Sequence, residues 1–163
     1  SALRRATLAR RLAELLHPAQ SAESFTMGLL QDMGVPVLAA ARTAEYDPIF
    51  ASWLEDSDLS ECLTTVEKER LGTTHEEVGR LLGNYWEMPD DLLKAIGEHH
   101  NNEDGGVLSA VSLVSHLREG EHPGEIEAIV ARAEEEFGLD SEVVLELVDE
   151  AFAEAAELEV MMR

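Results

Sequence analysis

The stretch ERLGTTHEEVGRLLGNYWEMPDDLLKAIGEHH, residues 69–100, decides the fold. Gly72 closes a helical run that extends from Leu59 to Leu71, as glycine does where a chain must turn left-handed at a helix end. Thr74 and Glu77 then have the spacing of a capping box, in which two side chains satisfy two backbone N–H groups that the first turn leaves without partners. His75 therefore falls in the first turn of the next helix. Met88-Pro89-Asp90 resets the chain again, and Leu92, Leu93, Ile96 and one of His99 or His100 follow along one helical face. The stretch shows neither the period-two alternation of a strand nor a glycine-rich phosphate loop.

The same punctuation continues outward. Leu3, Leu8, Leu12, Leu15 and Leu16 recur at helical spacing and stop at His17-Pro18, because proline cannot continue a helix. A second helix is expected over about residues 22–42, with Phe25, Leu29, Leu30, Met33, Val37 and Leu38 on one side and a kink at Pro36. Within it, GLLQDMG, residues 28–34, sets Gln31 and Asp32 among apolar neighbours. In YDPIFASWLE, residues 46–55, Asp47 reads as a cap and Pro48 as the first helical residue. NNEDGG, residues 101–106, reads as a loop, and VLSAVSLVSHLRE, residues 107–119, as a buried central helix. Pro123-Gly124 opens another helix, Gly138 closes it, and DSEVVLELVDEAFAEAAELEVMM, residues 140–162, makes a long amphipathic C-terminal helix. The prediction is an all-α fold, an irregular bundle of about seven to nine helices forming a single domain over residues 1–163.

Composition agrees. Of 163 residues 45% are hydrophobic but only 5% aromatic, so the core must be built from Leu, Val, Ala and Ile, which suits packed helices. The formal charge of −22 repels phosphate backbones and anionic lipid, so no nucleic acid and no membrane partner is expected. The charge is uneven: residues 119–163 carry fifteen acids and two arginines, whereas residues 1–20 carry four arginines and one acid. The acidic tail reads as a solvated helix face or as a docking surface for a basic partner. Cys62 stands alone, which excludes an internal disulfide and fits a reducing compartment. No apolar run reaches the roughly 18 residues of a membrane span, and a cytoplasmic location is expected. The start at Ser1 suggests that further segments lie upstream.

Gln31, Asp32, His75, His99, His100 and His116 are the polar residues with metal-binding or acid–base chemistry to offer. Each has a plainer reading as a surface group or a hydrogen-bonded core residue. Asp32, amid Leu29, Leu30, Met33 and Val35, needs a partner if buried, such as a helix N-terminus or Arg5. His99 and His100 are adjacent and so point about 100° apart, which lets at most one face inward. No serine or cysteine has a nucleophile's context, and neither CxxC nor HExxH spacing occurs. Trp53 and Trp86 read as helix-packing residues.

Three blocks, ESFTMGLLQDMGVPVLA, the 69–100 stretch and GLDSEVVLELVDEAF, resemble in order the signature blocks of the HDOD domain, an HD-related output domain of bacterial signalling proteins. The middle block follows that family's FGTxHxEVGxxL…AIxxHH pattern except that Leu71 replaces the phenylalanine. The resemblance implies an all-helical HD-type fold, with the family's earliest helices lying upstream of Ser1. Metal-dependent HD phosphohydrolases use an upstream His, a His-Asp pair and a later Asp; by resemblance these fall at or before Ser1, on Gln31-Asp32, and on Ser115. Only Asp32 is unaltered. His75 and one of His99 or His100 match additional ligands of relatives of the HD-GYP type, but the GYP element is missing.

The resemblance thus implies a degenerate site at Gln31, Asp32, His75, His99, His100 and Ser115, with no catalytic residue, no metal and no cofactor expected. Asp32 is expected to accept hydrogen bonds from His75 or His99 and to hold packing where an ion once did. The implied function is a non-catalytic signalling output domain acting through contacts with other signalling proteins that present basic surfaces. A divergent metal-dependent phosphohydrolase or cyclic-di-nucleotide phosphodiesterase, and a small-molecule or nucleotide sensor, are the alternatives.

Overall fold

The structure, a computed structural model, describes residues 2–55, 62–100, 108–118 and 123–163. Among these residues there are ten α-helices and no strand: α1 (Ala2–Leu16), α2 (Ser21–Leu30), α3 (Gly34–Ala41), α4 (Thr43–Glu55), α5 (Leu63–Leu71), α6 (His75–Tyr85), α7 (Asp90–Glu98), α8 (Leu108–Val114), α9 (Pro123–Phe137) and α10 (Ser141–Met161), with a short 3-10 turn at Pro18–Gln20. The expected all-α class holds among the described residues. The chain forms two compact units, one of residues 1–29 and 100–163, the other of residues 30–99.

In the first unit α1 packs on both α8 and α10. Leu8 and Leu12 of α1, Leu113 and Val114 of α8, Ile129 of α9, and Val144 and Val148 of α10 close one apolar core, with Ala9, Ala133 and Ala151 letting the helix axes approach. All seven residues of α8 are buried, as its apolar sequence predicts. Gly138 ends α9 at φ 65°, and the Asp140 carboxylate accepts from the backbone N–H groups of Glu142 and Val143 to start α10. Leu15 departs from the expected apolar face, being 46% exposed. Part of the charge asymmetry is settled inside this unit, because Arg10 and Arg11 of the basic first helix pair with Glu154 of the acidic last one. The Arg5 guanidinium donates to the Leu117 carbonyl at 2.8 Å.

In the second unit α6 packs between α3 and α7, while α4 links α3 to α5. The expected helix over 22–42 is divided. Residues 31–33 form a turn, and Pro36 is not the cause: it lies in the first turn of α3, where its missing N–H costs no intrahelical bond. The break brings Gly34 against α6 so closely that a Cβ there would lie 1.9 Å from the His75 carbonyl oxygen. GLLQDMG is therefore a helix end, a turn and a helix start rather than the middle of one helix.

The reading of Asp47-Pro48 as a helix start is also corrected. α4 begins at Thr43 and carries Pro48 inside it, held by the burial of Tyr46 and Ile49 on its inner face; packing outweighs the one lost hydrogen bond. Gly72 closes α5 at φ 74°, and the Thr74–Glu77 capping box is complete, with both hydrogen bonds at 3.2 Å. Trp86 is not a packing residue: it is 55% exposed, beside Tyr85 at 81% and Leu81 at 71%. Trp53 is half-buried with its ring 5.6 Å from Phe50. The predicted loop at 101–106 and the first residues of the predicted 59–71 helix lie outside the described residues.

Candidate functional site

Within the second unit, three elements bring polar groups to one buried point. The α2–α3 turn supplies Asp32, the first turn of α6 supplies His75, and the residue that ends α7 supplies His99. His75 and His99 are 1% and 0% exposed, and the Asp32 side chain 20%. The Nε2 atoms of the two histidines lie 3.2 Å apart, and Asp32 Oδ1 lies 3.5 Å from His75 Nε2 and 3.1 Å from His99 Nε2. These distances put the Asp32 carboxylate within ion-pair range of both rings.

The partners of the other ring nitrogens fix the tautomers. His75 Nδ1 sits 2.8 Å from Glu67 Oε2, and the His75 backbone N–H donates to the same oxygen at 2.8 Å. Tyr46 donates its phenol hydrogen to Glu67 Oε1 at 2.7 Å. A carboxylate with three donors around it is an acceptor only, so His75 carries its proton on Nδ1. His99 Nδ1 lies 3.1 Å from the Ile96 carbonyl oxygen, again an acceptor only. Both Nε2 atoms therefore turn lone pairs toward the same point that Asp32 faces, and a positive species between them, a proton or a metal cation, suits the arrangement.

The electrostatics point the same way. Burial works against a charged His75, but its hydrogen bond to Glu67 and the negative charges of Asp32, Glu67 and Glu76 outweigh that cost and lift its pKa above the ordinary histidine value. Burial, then the Glu67 hydrogen bond, then the charges of Glu67 and Asp32 raise the Tyr46 phenol far above the ordinary range, so it remains a donor. The N-terminus of α6 adds favourable partial charge toward Glu67, which its first backbone N–H contacts.

The remaining predicted positions behave differently. Gln31 is fully buried, and neither its Oε1 nor its Nε2 has a hydrogen-bond partner among the described residues. An amide oxygen is a weaker ligand than imidazole for a transition metal; within the 30–99 unit, Asp32, His75 and His99 offer ligand atoms that lie within 4.8 Å of one another. Ser115 belongs to the first unit and donates its hydroxyl to the Ser112 carbonyl at 2.7 Å. His100 also belongs to that unit, where its ring lies 5.2 Å from the ring of exposed His116. Glu67 and Tyr46 were not anticipated. The one signal for Glu67 is its place four residues after Leu63 on the buried face of α5.

An all-helical HD-type fold enclosing a histidine–carboxylate cluster defines the class. Residues 1–102 match the HDOD domain, and the chain belongs to that family. The chain is also similar to a crystal structure from Marinobacter aquaeolei VT8, whose name assigns that protein provisionally to signal transduction: 25% identity, TM-score 0.73, covering 98% of this chain and 37% of that one. The chain thus spans little more than a third of that protein's length. The comparison with curated proteins gave no match. No described helix is long and apolar enough to cross a membrane.

Proposed function

We propose that this chain is a signalling output domain that works by protein contact and not by turnover. The observation that carries the reading is the contrast between the two faces of α6. Its inward end holds His75, which is buried, whereas Leu81, Tyr85 and the following Trp86 are exposed together at its other end. Exposed aromatics grouped in this way are typical of contact surfaces. Glu87, Asp90 and Asp91 follow them and are exposed as well, so the surface suits a protein partner that sets an apolar anchor among basic residues. Membership of the HDOD family and likeness to a protein named for signal transduction support the reading. So does the replacement of the expected His-Asp pair by Gln31-Asp32. A cytoplasmic, signalling partner is part of this proposal.

The test is affinity capture from native extract with the wild-type chain and with Trp86→Ala. The expected result is a basic partner retained by the wild type at low salt, weakened by added salt, and lost in Trp86→Ala while the far-ultraviolet circular dichroism stays unchanged. Equal capture by both chains would overturn the assignment of the surface. The Asp32–His75–His99 cluster favours a second reading, a divergent metal-dependent phosphohydrolase. Metal-stimulated turnover of a phosphoester panel, abolished in Asp32→Ala, would put that reading first.

A further inference from the structure

We infer that Trp86 and Glu87, at the end of α6, form a subsite for an arginine side chain of the partner protein, with Glu87 as the residue that sets the preference. The inference rests on the protein-contact reading above and deepens it, from a basic partner to a particular side chain.

Helix α6 ends in a double closure. The Met88 N–H donates to the Gly83 carbonyl at 3.0 Å and the Glu87 N–H to the Asn84 carbonyl at 3.1 Å. This is the Schellman arrangement, whose turning residue stands in the left-handed region and is most often glycine. Here it is Glu87, at φ 55°, and among the described residues no other non-glycine has a positive φ. The other two positive-φ turns, after α5 and α9, use Gly72 and Gly138. Packing accounts for the turn, because a Cβ on Gly83 would lie 3.4 Å from the Met88 sulfur and 2.7 Å from Leu93 Cδ2. It does not account for a glutamate.

The charge is unfavourable as well. Glu87 follows the C-terminal end of α6, where the helix dipole is negative. Asp90 and Asp91 differ, since they stand in the first turn of α7, where acids are favoured. Among the described residues no hydrogen bond or ion pair compensates the exposed Glu87 carboxylate. A residue that local physics disfavours twice, and that nothing inside the fold uses, points to a use outside it.

Its neighbours say what that use is. Tyr85 and Trp86 precede it and are exposed, and residues 81–93 hold three acids and no base. An aromatic face beside a carboxylate suits a guanidinium, which stacks on the ring and donates two parallel N–H bonds to the acid. A lysine ammonium is a compact, strongly hydrated charge that matches neither group as well.

The experiment titrates the isotope-labelled full chain with a capped five-residue leucine–arginine peptide and with its lysine counterpart, followed by nuclear magnetic resonance. The expected result is saturable shifts of the Trp86 indole N–H and the Glu87 backbone N–H, with the arginine peptide bound about two- to fivefold more tightly. Glu87→Gln should remove that advantage with little change in melting temperature. Glu87→Gly should remove it too, and should raise the melting temperature by about 2–4 °C as the left-handed strain is relieved. Equal affinities of the two peptides, an advantage retained in Glu87→Gln, or no rise in melting temperature in Glu87→Gly would overturn the inference. In capture from native extract, loss in Trp86→Ala with full capture by Glu87→Gln would overturn the arginine subsite alone. Equal capture by wild type and both variants would overturn the contact surface with it.

Discussion

Glu67 is the residue on which the site's geometry turns, and Tyr46 is its least replaceable partner. In Tyr46→Phe, Glu67 Oε1 loses the hydrogen bond seen at 2.7 Å while the carboxylate stays buried. The expected loss of stability is about 1–3 kcal/mol, measured by urea unfolding, because removing one partner leaves the other to bear its own desolvation. Asp32, His75 and His99 were legible in the sequence because histidines are few and an aspartate amid leucines is conspicuous. Glu67 was not. It is one of 34 acidic residues, and only tertiary packing shows that this one is buried while its neighbour Lys68 reaches outward to Glu77.

The elements were mostly legible where a local device ends or starts them. Gly72, Thr74 with Glu77, and Gly138 all act locally, and each stands where its sequence context predicts. The division of residues 22–42 was not legible, because its cause is the backbone of a helix more than thirty residues further along. Gly34 meets the His75 carbonyl at a distance that no side chain can share. Gly34→Ala is therefore expected to cost at least about 2–3 kcal/mol, lowering the melting temperature by roughly 5–10 °C.

The capping box carries a pH dependence of its own. Hydrogen bonds from Lys68, then Thr73, with smaller help from the Thr74 backbone and the Lys68 charge, outweigh burial and hold Glu77 below the usual carboxylate value of 4.5. A group whose folded pKa is depressed contributes stability above its unfolded pKa and loses it as the pH falls through the folded one. Acidification below about pH 4.5 should thus destabilise the wild type more than Glu77→Gln. Glu77 is half-exposed, so salt should narrow the difference between the two unfolding curves.

At the scale of the molecule, composition favoured packed helices and no apolar run reached the length of a membrane span; among the described residues there is no strand and no helix long and apolar enough to cross a membrane. What composition could not show is how the charge is used. The basic first helix and acidic last helix answer each other through Arg10, Arg11, Glu150 and Glu154. Nor does any sequence boundary mark the two units, because one of them is assembled from both ends of the chain.

That arrangement divides the protein optically. Tyr46, Trp53, Tyr85 and Trp86 are all the tyrosines and tryptophans of the chain, and all four lie in the 30–99 unit. Intrinsic fluorescence therefore watches that unit alone, while far-ultraviolet dichroism counts the helices of both. Recorded on one sample, the two signals separate an event in the cluster around His75 from an event among the helices packed on α1, without a label and without a mutation.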